Sequence, residues 1–373
     1  MPLLQEGVDL RVVAAMSGGV DSSVAAVSLH RAGHDVLGVY LRMRNVSAKA
    51  EATSCVNPQH EEDARTVAQL ASIPFQVIDM REAFELEIVQ PFMQSYLRGE
   101  TPNPCVLCNV KVKLGPLVQW AIEHGYDKVC TGHYARIMQN ENGAWELRRG
   151  VDPLKDQSYY LCGLSQSHLS RLVLPRGEMV KADTRKLAAE WGLPVAQKAD
   201  SQDICISADE GDYRQYMSAR LDPDSLFSEG PIVNVGGEVI GRHSGLHQFT
   251  VGQRRGLGIS HPKPLYVVGI RTESNTLVVG EEESLYQQSM DVESFNWTSE
   301  NPPPAGSTIS ALAQIRYQHK ASPVTVRIHS ASDLSIEFAE PQRAIAPGQV
   351  AALYDGDLVL GGGIIKRRQD EDR

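Results

Sequence analysis

The chain has 373 residues, of which 42% are hydrophobic and 22% charged, an ordinary globular composition in a length that predicts two or three domains. Its net charge of −10 argues against a protein that coats nucleic acid indiscriminately. It leaves room for a local basic face, because phosphate contacts need only a few cations on one side; the candidates are Arg148-Arg149, Arg254-Arg255 and Lys366-Arg367-Arg368. No apolar run reaches about 18 residues, and the N-terminal stretch MPLLQEGVDLR has neither the charge and apolar pattern of a signal peptide nor that of a transit peptide, so a cytoplasmic protein with no membrane partner is expected. The six cysteines do not read as a disulfide framework in that compartment.

An apolar run from Val12 to Met16 predicts a buried strand, and the residues after Ser22 predict a helix to Arg31 that stops at Gly33. Between them lies Ser17-Gly18-Gly19-Val20-Asp21-Ser22-Ser23. The glycines let the backbone approach a ligand, and the free N–H groups of a helix start favour an anion. A Walker loop would place a lysine before the last Ser/Thr, and here the residue is Asp21. The pattern resembles the pyrophosphate loop (PP-loop) of ATP-pyrophosphatases, enzymes that cut ATP between its α- and β-phosphates. That resemblance implies ATP and Mg2+, with Asp21 helping to organise the metal.

A strand at Val36 to Leu41 completes a βαβ unit and predicts a doubly wound parallel sheet. Residues 42–58, with Cys55, read as a loop, Glu61 to Ala71 as a helix and Phe75 to Ile78 as a strand. Glu82 to Leu97 reads as a helix kinked at Pro91 and ended by Gly99. Lys111 to Glu123 is the next helix, and Lys128 to Thr131 the next strand, ending in Thr131-Gly132-His133 beside the first loop. Asn142-Gly143 signals a hairpin. Residues 165–192 read as helical, with Asp183 as an N-cap and Gly192 as a C-cap. From about residue 226, short alternating runs (Leu265 to Ile270, Thr276 to Val279, Val324 to Ile328, Ser335 to Phe338) predict one or two small β-barrels, with Pro302-Pro303-Pro304 at the joint between them.

The stretch Thr101-Pro102-Asn103-Pro104-Cys105-Val106-Leu107-Cys108-Asn109 is read as a loop carrying a C-x-x-C before Lys111 and Lys113. Cations and a helix start both favour thiolate, so one or both thiols are expected below the free value of about 8.5. Half a zinc site, a redox pair and an iron–sulfur ligand pair are all open readings. Zinc is disfavoured, because a closed zinc site takes four protein ligands and no matching second pair is present. The candidate partner is Cys205, while Cys55, Cys130 and Cys162 read as small buried apolar residues.

Taken in order, SGGVDSS, TPNPCVLCN, TGHYAR, Lys155-Asp156-Gln157-Ser158-Tyr159, DSQDIC, GQRRGLG and Gly361-Gly362-Gly363 resemble the tRNA-specific 2-thiouridylases over about residues 10–368. The resemblance implies a transferase, a tRNA-uridine 2-sulfurtransferase that replaces the 2-oxygen of the wobble uridine with sulfur. It implies an adenylation domain at 1–164, a helical extension carrying the second catalytic cysteine at 165–225, a central β domain at 226–300 and a C-terminal barrel at 301–373. It assigns ATP to Ala15, Met16, Ser17, Gly18, Gly19, Val20, Asp21, Ser22, Leu41 and Gly132. Target-base contacts fall on Asn103, Pro104 and Cys105, and tRNA contacts, to the anticodon stem-loop, on Lys155, Asp156, Gln157, Arg316 and Tyr317. Cys108 matches the attacking cysteine and Cys205 the persulfide carrier; the sulfur is expected from a donor protein of a desulfurase relay or, on an open cluster iron, from inorganic sulfide.

Where many family members have Asp-x-x-Cys, this chain has Cys105-Val106-Leu107-Cys108. A [4Fe-4S] cluster on Cys105, Cys108 and Cys205, with its fourth iron open to hydrosulfide, is therefore expected ahead of a persulfide relay closed by a Cys108–Cys205 disulfide. Two other function classes compete: an ATP-pyrophosphatase amide ligase, against which the cysteines speak, and a metal-stabilised RNA-binding protein whose nucleotide loop is only structural.

Overall fold

The computed structural model describes residues 9–45, 58–200, 205–207, 213–218, 220 and 228–367. Strand β1 (Arg11–Ala15) is buried along Val12, Val13 and Ala14 and leads through Ser17–Gly19 into the helix Val20–Arg31. β2 (Asp35–Arg42) returns parallel to β1, and β3 (Phe75–Asp79) lies parallel to β2 beyond the helix Pro58–Leu70. β4 (Lys128–Cys130) then pairs with β1 on its other side. The order reversal puts a topological switch point between β1 and β4, the place where open α/β sheets bind ligands.

Two helices between β3 and β4 depart from regular α geometry. Residues 81–97 form one helical run with a π turn at Glu85–Val89, a turn before Pro91. Proline has no N–H and its ring crowds the carbonyl four residues back, so the ladder widens where a kink was expected. The next helix begins at Pro104 rather than Lys111 and runs to Glu123, with a π turn at Asn109–Leu114. The C-x-x-C thus occupies a helical first turn, not a loop. By length and composition this helix could cross a membrane, but Val106, Val112, Leu114, Leu117, Val118 and Ala121 are buried in the protein core.

The hairpin signalled by Asn142-Gly143 forms from β5 (Ala135–Gln139) and β6 (Trp145–Arg149), with Gly143 at φ +81°. It does not join the parallel sheet, whose fifth strand is the two-residue β7 (Leu172–Val173), inside the stretch expected to be helical. The helix that follows is Lys181–Glu190, and Asp183 lies in its first turn rather than at its cap. The buried Asp152 carboxylate accepts the Lys181 N–H at 2.9 Å and caps it from 29 residues away. Gly192, at φ +66°, does end that helix as expected.

The remaining strands form two β units. β8 (Gly230–Asn234), β9 (Val239–His243), β10 (Tyr266–Arg271) and β11 (Thr276–Gly280) make a four-stranded sheet around Ile232, Val267 and Leu277. β12 (Tyr286–Trp297), β13 (Thr308–Gln314), β14 (Ser322–Ile328), β15 (Leu334–Arg343), β16 (Val350–Asp355) and β17 (Leu358–Ile365) close into a six-stranded barrel through β12–β17 pairing. The triple proline therefore connects β12 to β13 within the barrel; it is not a joint between two units.

β6 pairs with β17 at Arg148↔Leu358, so the hairpin extends the barrel sheet. Leu147, Tyr159, Ala352, Tyr354 and Val359 share one core cluster with Val13 and Leu117, which locks barrel and parallel sheet together.

Candidate active site

The loop after β1 is held by its own side chains. Ser22 Oγ accepts the Ser17 N–H at 3.0 Å and donates to the Gly19 carbonyl at 3.2 Å. Gly18 has φ +73°, and a Cβ there would stand 2.1 Å from the His60 carbonyl oxygen. A Cβ on Gly132, past β4, would stand 2.5 Å from the Ser22 nitrogen. Both positions require glycine.

The loop opens into a cavity of about 550 Å³. Its lining includes Ala15, Met16, Ser17, Gly19, Val20, Asp21, Ser22, Leu41 and Gly132, together with Lys155, Gln157 and Tyr317. Gly18, Asp156 and Arg316 stand behind or beside that surface. Asp156 binds Arg149 at 2.8 Å and accepts the Gly150 and Ser158 N–H groups, and Arg316 donates to the Arg343 carbonyl at 3.2 Å. Tyr317, from the barrel, packs on Tyr160 with ring centroids 4.6 Å apart, so barrel and parallel sheet share the cavity wall.

Sequence reasoning missed the charge network of this cavity. Lys181 reaches Asp21 at 2.7 Å and Asp200 at 2.7 Å, and Asp200 also binds Lys155 at 2.8 Å and Arg185 at 3.1 Å. Desolvation would raise the Asp200 pKa, but hydrogen bonds from Lys155 and Lys181 and their charges outweigh it and hold the carboxyl below its ordinary value. The Tyr134 hydroxyl donates to Asp21 Oδ1 at 2.8 Å and lies 2.9 Å from Thr184 Oγ1; burial and the neighbouring Asp21 carboxylate push it far above the ordinary tyrosine value. Lys198 binds the Gly18 carbonyl at 2.9 Å and Asp63 at 2.5 Å. Burial, then the Lys113 ammonium, push His133 down to about 3, so its imidazole is neutral where it lines the cavity.

The cysteine helix is capped by Asn103, whose side chain accepts the Cys105 N–H at 3.1 Å, with Pro104 in the first turn. Cys105 and Cys108 are free thiols. Burial raises both pKa values and outweighs the opposing Lys113 charge, so the expectation of lowered values fails. A helix N-terminus and a cation favour thiolate, but desolvation of these side chains is the larger effect. Cys108 and Cys205 are 4% and 8% exposed and share one apolar cluster with Met43, Phe84, Phe92, Tyr216 and Met217. Cys205 is engaged in a disulfide; Cys108 is free, so the expected Cys108–Cys205 bond is not formed in this state.

A family model described as "tRNA methyl transferase HUP domain" matches residues 10–209, a "tRNA methyl transferase PRC-barrel domain" matches 221–281, and an "Aminomethyltransferase beta-barrel domain" matches 287–365. The tRNA-specific 2-thiouridylase MnmA of Trichormus variabilis is 43% identical over 96% of this chain and 99% of its own length. Those of Geobacter metallireducens and Syntrophotalea carbinolica are 41% and 44% identical, over 97% and 95% of this chain and 98% of their own lengths. The chain belongs to the tRNA-specific 2-thiouridylase family.

Within this chain, two of the three candidate basic clusters are spent on internal pairs. Arg148 binds Glu146 and Asp357, each at 2.6 Å, and Arg149 binds Asp156. Lys366 binds Asp333 at 2.8 Å, and Arg367 donates to the Arg98 carbonyl at 3.0 Å; Arg368 lies outside the described residues. Arg254 and Arg255 are exposed. Cys130 and Cys162 are fully buried, with thiols pushed up to about 12 by burial, as expected of packing cysteines, and Cys55 lies outside the described residues.

The cysteine donor set does not fit a cluster in this state. A cubane held by three thiolates needs three convergent sulfurs. Among the described residues no three Cys, His, Asp or Glu side chains converge on a metal position, and the Cys205 sulfur is occupied by its disulfide.

Proposed function

We propose that this protein converts the wobble uridine of tRNA to 2-thiouridine in the cytoplasm, using ATP to adenylate uracil O2 and a cysteine persulfide to deliver sulfur. The observation that carries the reading is one cavity bounded by a PP-loop, by the helix of Cys105 and Cys108 through Lys113 and Leu114, and by Tyr317 of the barrel. The relatives named as tRNA-specific 2-thiouridylases support the substrate.

Uracil C2 is a poor electrophile and oxide does not leave, so the oxygen has to be activated. A lone pair of O2 forms a bond to the α-phosphorus, the bond to pyrophosphate breaks with its electron pair on pyrophosphate, and the N3 proton departs. The N–H groups at the start of helix Val20–Arg31 receive the leaving pyrophosphate. Asp21 and Asp200 are the carboxylates suited to Mg2+, which would add positive charge at the departing phosphates. Lys181, which bridges them, keeps their charges compensated.

The terminal sulfur of a Cys205 persulfide then adds to C2, and AMP leaves with the C2–O pair. The Cys108 thiolate attacks the Cys205 Sγ, which forms a Cys108–Cys205 disulfide and leaves the sulfur on uracil as N3 regains a proton. An external thiol reductant reopens the disulfide, and the Cys205 thiolate regains its outer sulfur from the persulfide of a sulfur-donor protein, whose own cysteine leaves as a thiolate. Asn103, Pro104 and Cys105 would meet the target base, and Lys155, Gln157 and Tyr317 the nucleotides beside it, once the base has left the anticodon stack.

Incubating the protein with ATP, Mg2+, a persulfide donor and tRNA lacking the modification tests this reading. AMP and pyrophosphate should appear only when tRNA is present. Release without tRNA, or with an amino acid or ammonia in place of tRNA, would favour an amide ligase.

A further inference from the structure

Four lysines line the cavity: Lys113, Lys155, Lys181 and Lys198. Lys155 and Lys181 hold Asp200, Lys181 also holds Asp21, and Lys198 holds Asp63. Lys113 has no carboxylate partner among the described residues. It is half-buried, so its ammonium is held near low-dielectric surroundings without an internal anion to compensate it.

Its place on the chain is the second observation. Lys113 sits in the π turn Asn109–Leu114, in the same helix as Cys105 and Cys108, whereas the other three lysines come from the opposite side of the sequence, at 155–198. Lys113 and His133 line the cavity together, and the Lys113 charge acts against burial at Cys105 and Cys108. The extra residue of a π turn rotates the side chains that follow it relative to a regular helix, which is how one helix can turn Cys108 into an apolar cluster and the Lys113 ammonium into a polar cavity.

We propose that Lys113 is a catalytic residue that binds a non-bridging α-phosphate oxygen during adenylation and stays on it in the O2-adenylate. This rests on the adenylation reading above. The PP-loop N–H groups serve the β- and γ-phosphates, and sulfur approaches from the cysteine side, so the α-phosphoryl group passes between the two. As the bond from O2 to phosphorus forms and the bond to pyrophosphate breaks, charge stays on the α-phosphoryl oxygens, and an unpaired ammonium on the cysteine side compensates it without first breaking an internal ion pair.

The test compares wild type, Lys113→Arg and Lys113→Met for tRNA-dependent pyrophosphate release without a sulfur donor, and for their preference between the two diastereomers of α-thio-ATP. Lys113→Met should release pyrophosphate at least about 100-fold more slowly, lose most of the wild-type diastereomer preference, and bind tRNA within about threefold. Lys113→Arg should recover part of both losses. Unchanged pyrophosphate release in Lys113→Met, with only 2-thiouridine lost, would overturn the proposal and move Lys113 to the sulfur step. Slower release with an intact diastereomer preference would overturn it too, as the mark of a structural role. Should Lys113→Met not fold, Lys113→Gln and Lys113→Arg carry the same comparison. Wild-type protein that releases no pyrophosphate with tRNA would refute the adenylation reading itself, a different failure from any of these.

Discussion

Around Ser17–Ser22, Asp21, Lys181, Asp200 and Lys155 form a continuous chain of opposite charges, and a buried tyrosine hydroxyl holds Asp21 from a third direction. Around Cys108 and Cys205 the neighbours are Met43, Phe84, Ile88, Phe92 and Val112, and burial keeps the Cys108 thiol protonated. The nucleotide half is preorganised for charge, whereas the sulfur half is packed shut against it. Preorganised dipoles are effective because they need no rearrangement at the moment of reaction. A thiol has to ionise and reach its target, so under the proposed mechanism the sulfur half has to open after the base is activated. On the proposed mechanism, the difference separates adenylation, available in the resting state, from thiolation, which needs a conformational step.

The largest expected effect breaks one half and spares the other. Cys108→Ser and Cys205→Ser should each lower 2-thiouridine by about 10³-fold or more, since a serine hydroxyl is scarcely ionised at neutral pH. Nucleoside analysis of tRNA after reaction reads it, and wild-type thiolation in either variant would remove that cysteine from the relay. Asp21→Asn attacks the other half: pyrophosphate release should fall by about 10²-fold, with tRNA affinity, measured by filter binding, nearly unchanged.

A third prediction concerns the closed state directly. Folding raises the Cys108 pKa above its ordinary value, so the stability that goes with its neutral thiol is fully present below that ordinary value and is lost as pH rises through the raised one. Alkylation of Cys108 in the free protein at pH 8 should be at least about tenfold slower than that of a free cysteine, and ATP with tRNA should accelerate it. Mass spectrometry after timed iodoacetamide treatment measures this; ready alkylation without ligands would contradict a closed sulfur site. The smallest effect belongs to Tyr134→Phe, which removes one hydrogen bond to Asp21 and should cost about 1–2 kcal/mol in denaturant unfolding.

Much of the nucleotide half was legible in the sequence because its signals are local. A strand, two glycines and a helix start lie within one short stretch, and each constrains its neighbours. The partners of Asp21 were not legible: Lys181 is 160 residues away and Tyr134 is 113, and a lysine in a first helical turn looks like any solvated cation. The hairpin at Asn142-Gly143 announced itself through its turn, but its sheet did not, since β6 pairs with β17 across a long stretch of chain, Arg148 and Asp357 being 209 residues apart. β7, two residues long, is too short to carry a period. The cysteine helix was misread because two prolines before a C-x-x-C look like a loop, whereas here Asn103 caps a helix with Pro104 in its first turn. Local propensity favoured thiolate at that helix start, and packing from Phe84 and Phe92, distant in sequence, reversed it.

The separation of the two halves is tested most directly by the double variant Cys108→Ser/Cys205→Ser, incubated with ATP, Mg2+ and unmodified tRNA. Pyrophosphate should form at close to the wild-type initial rate, with no 2-thiouridine and with AMP retained on the tRNA. Loss of pyrophosphate formation in a variant that still folds and binds tRNA would show that the cysteines are needed to activate the base, and would contradict the account.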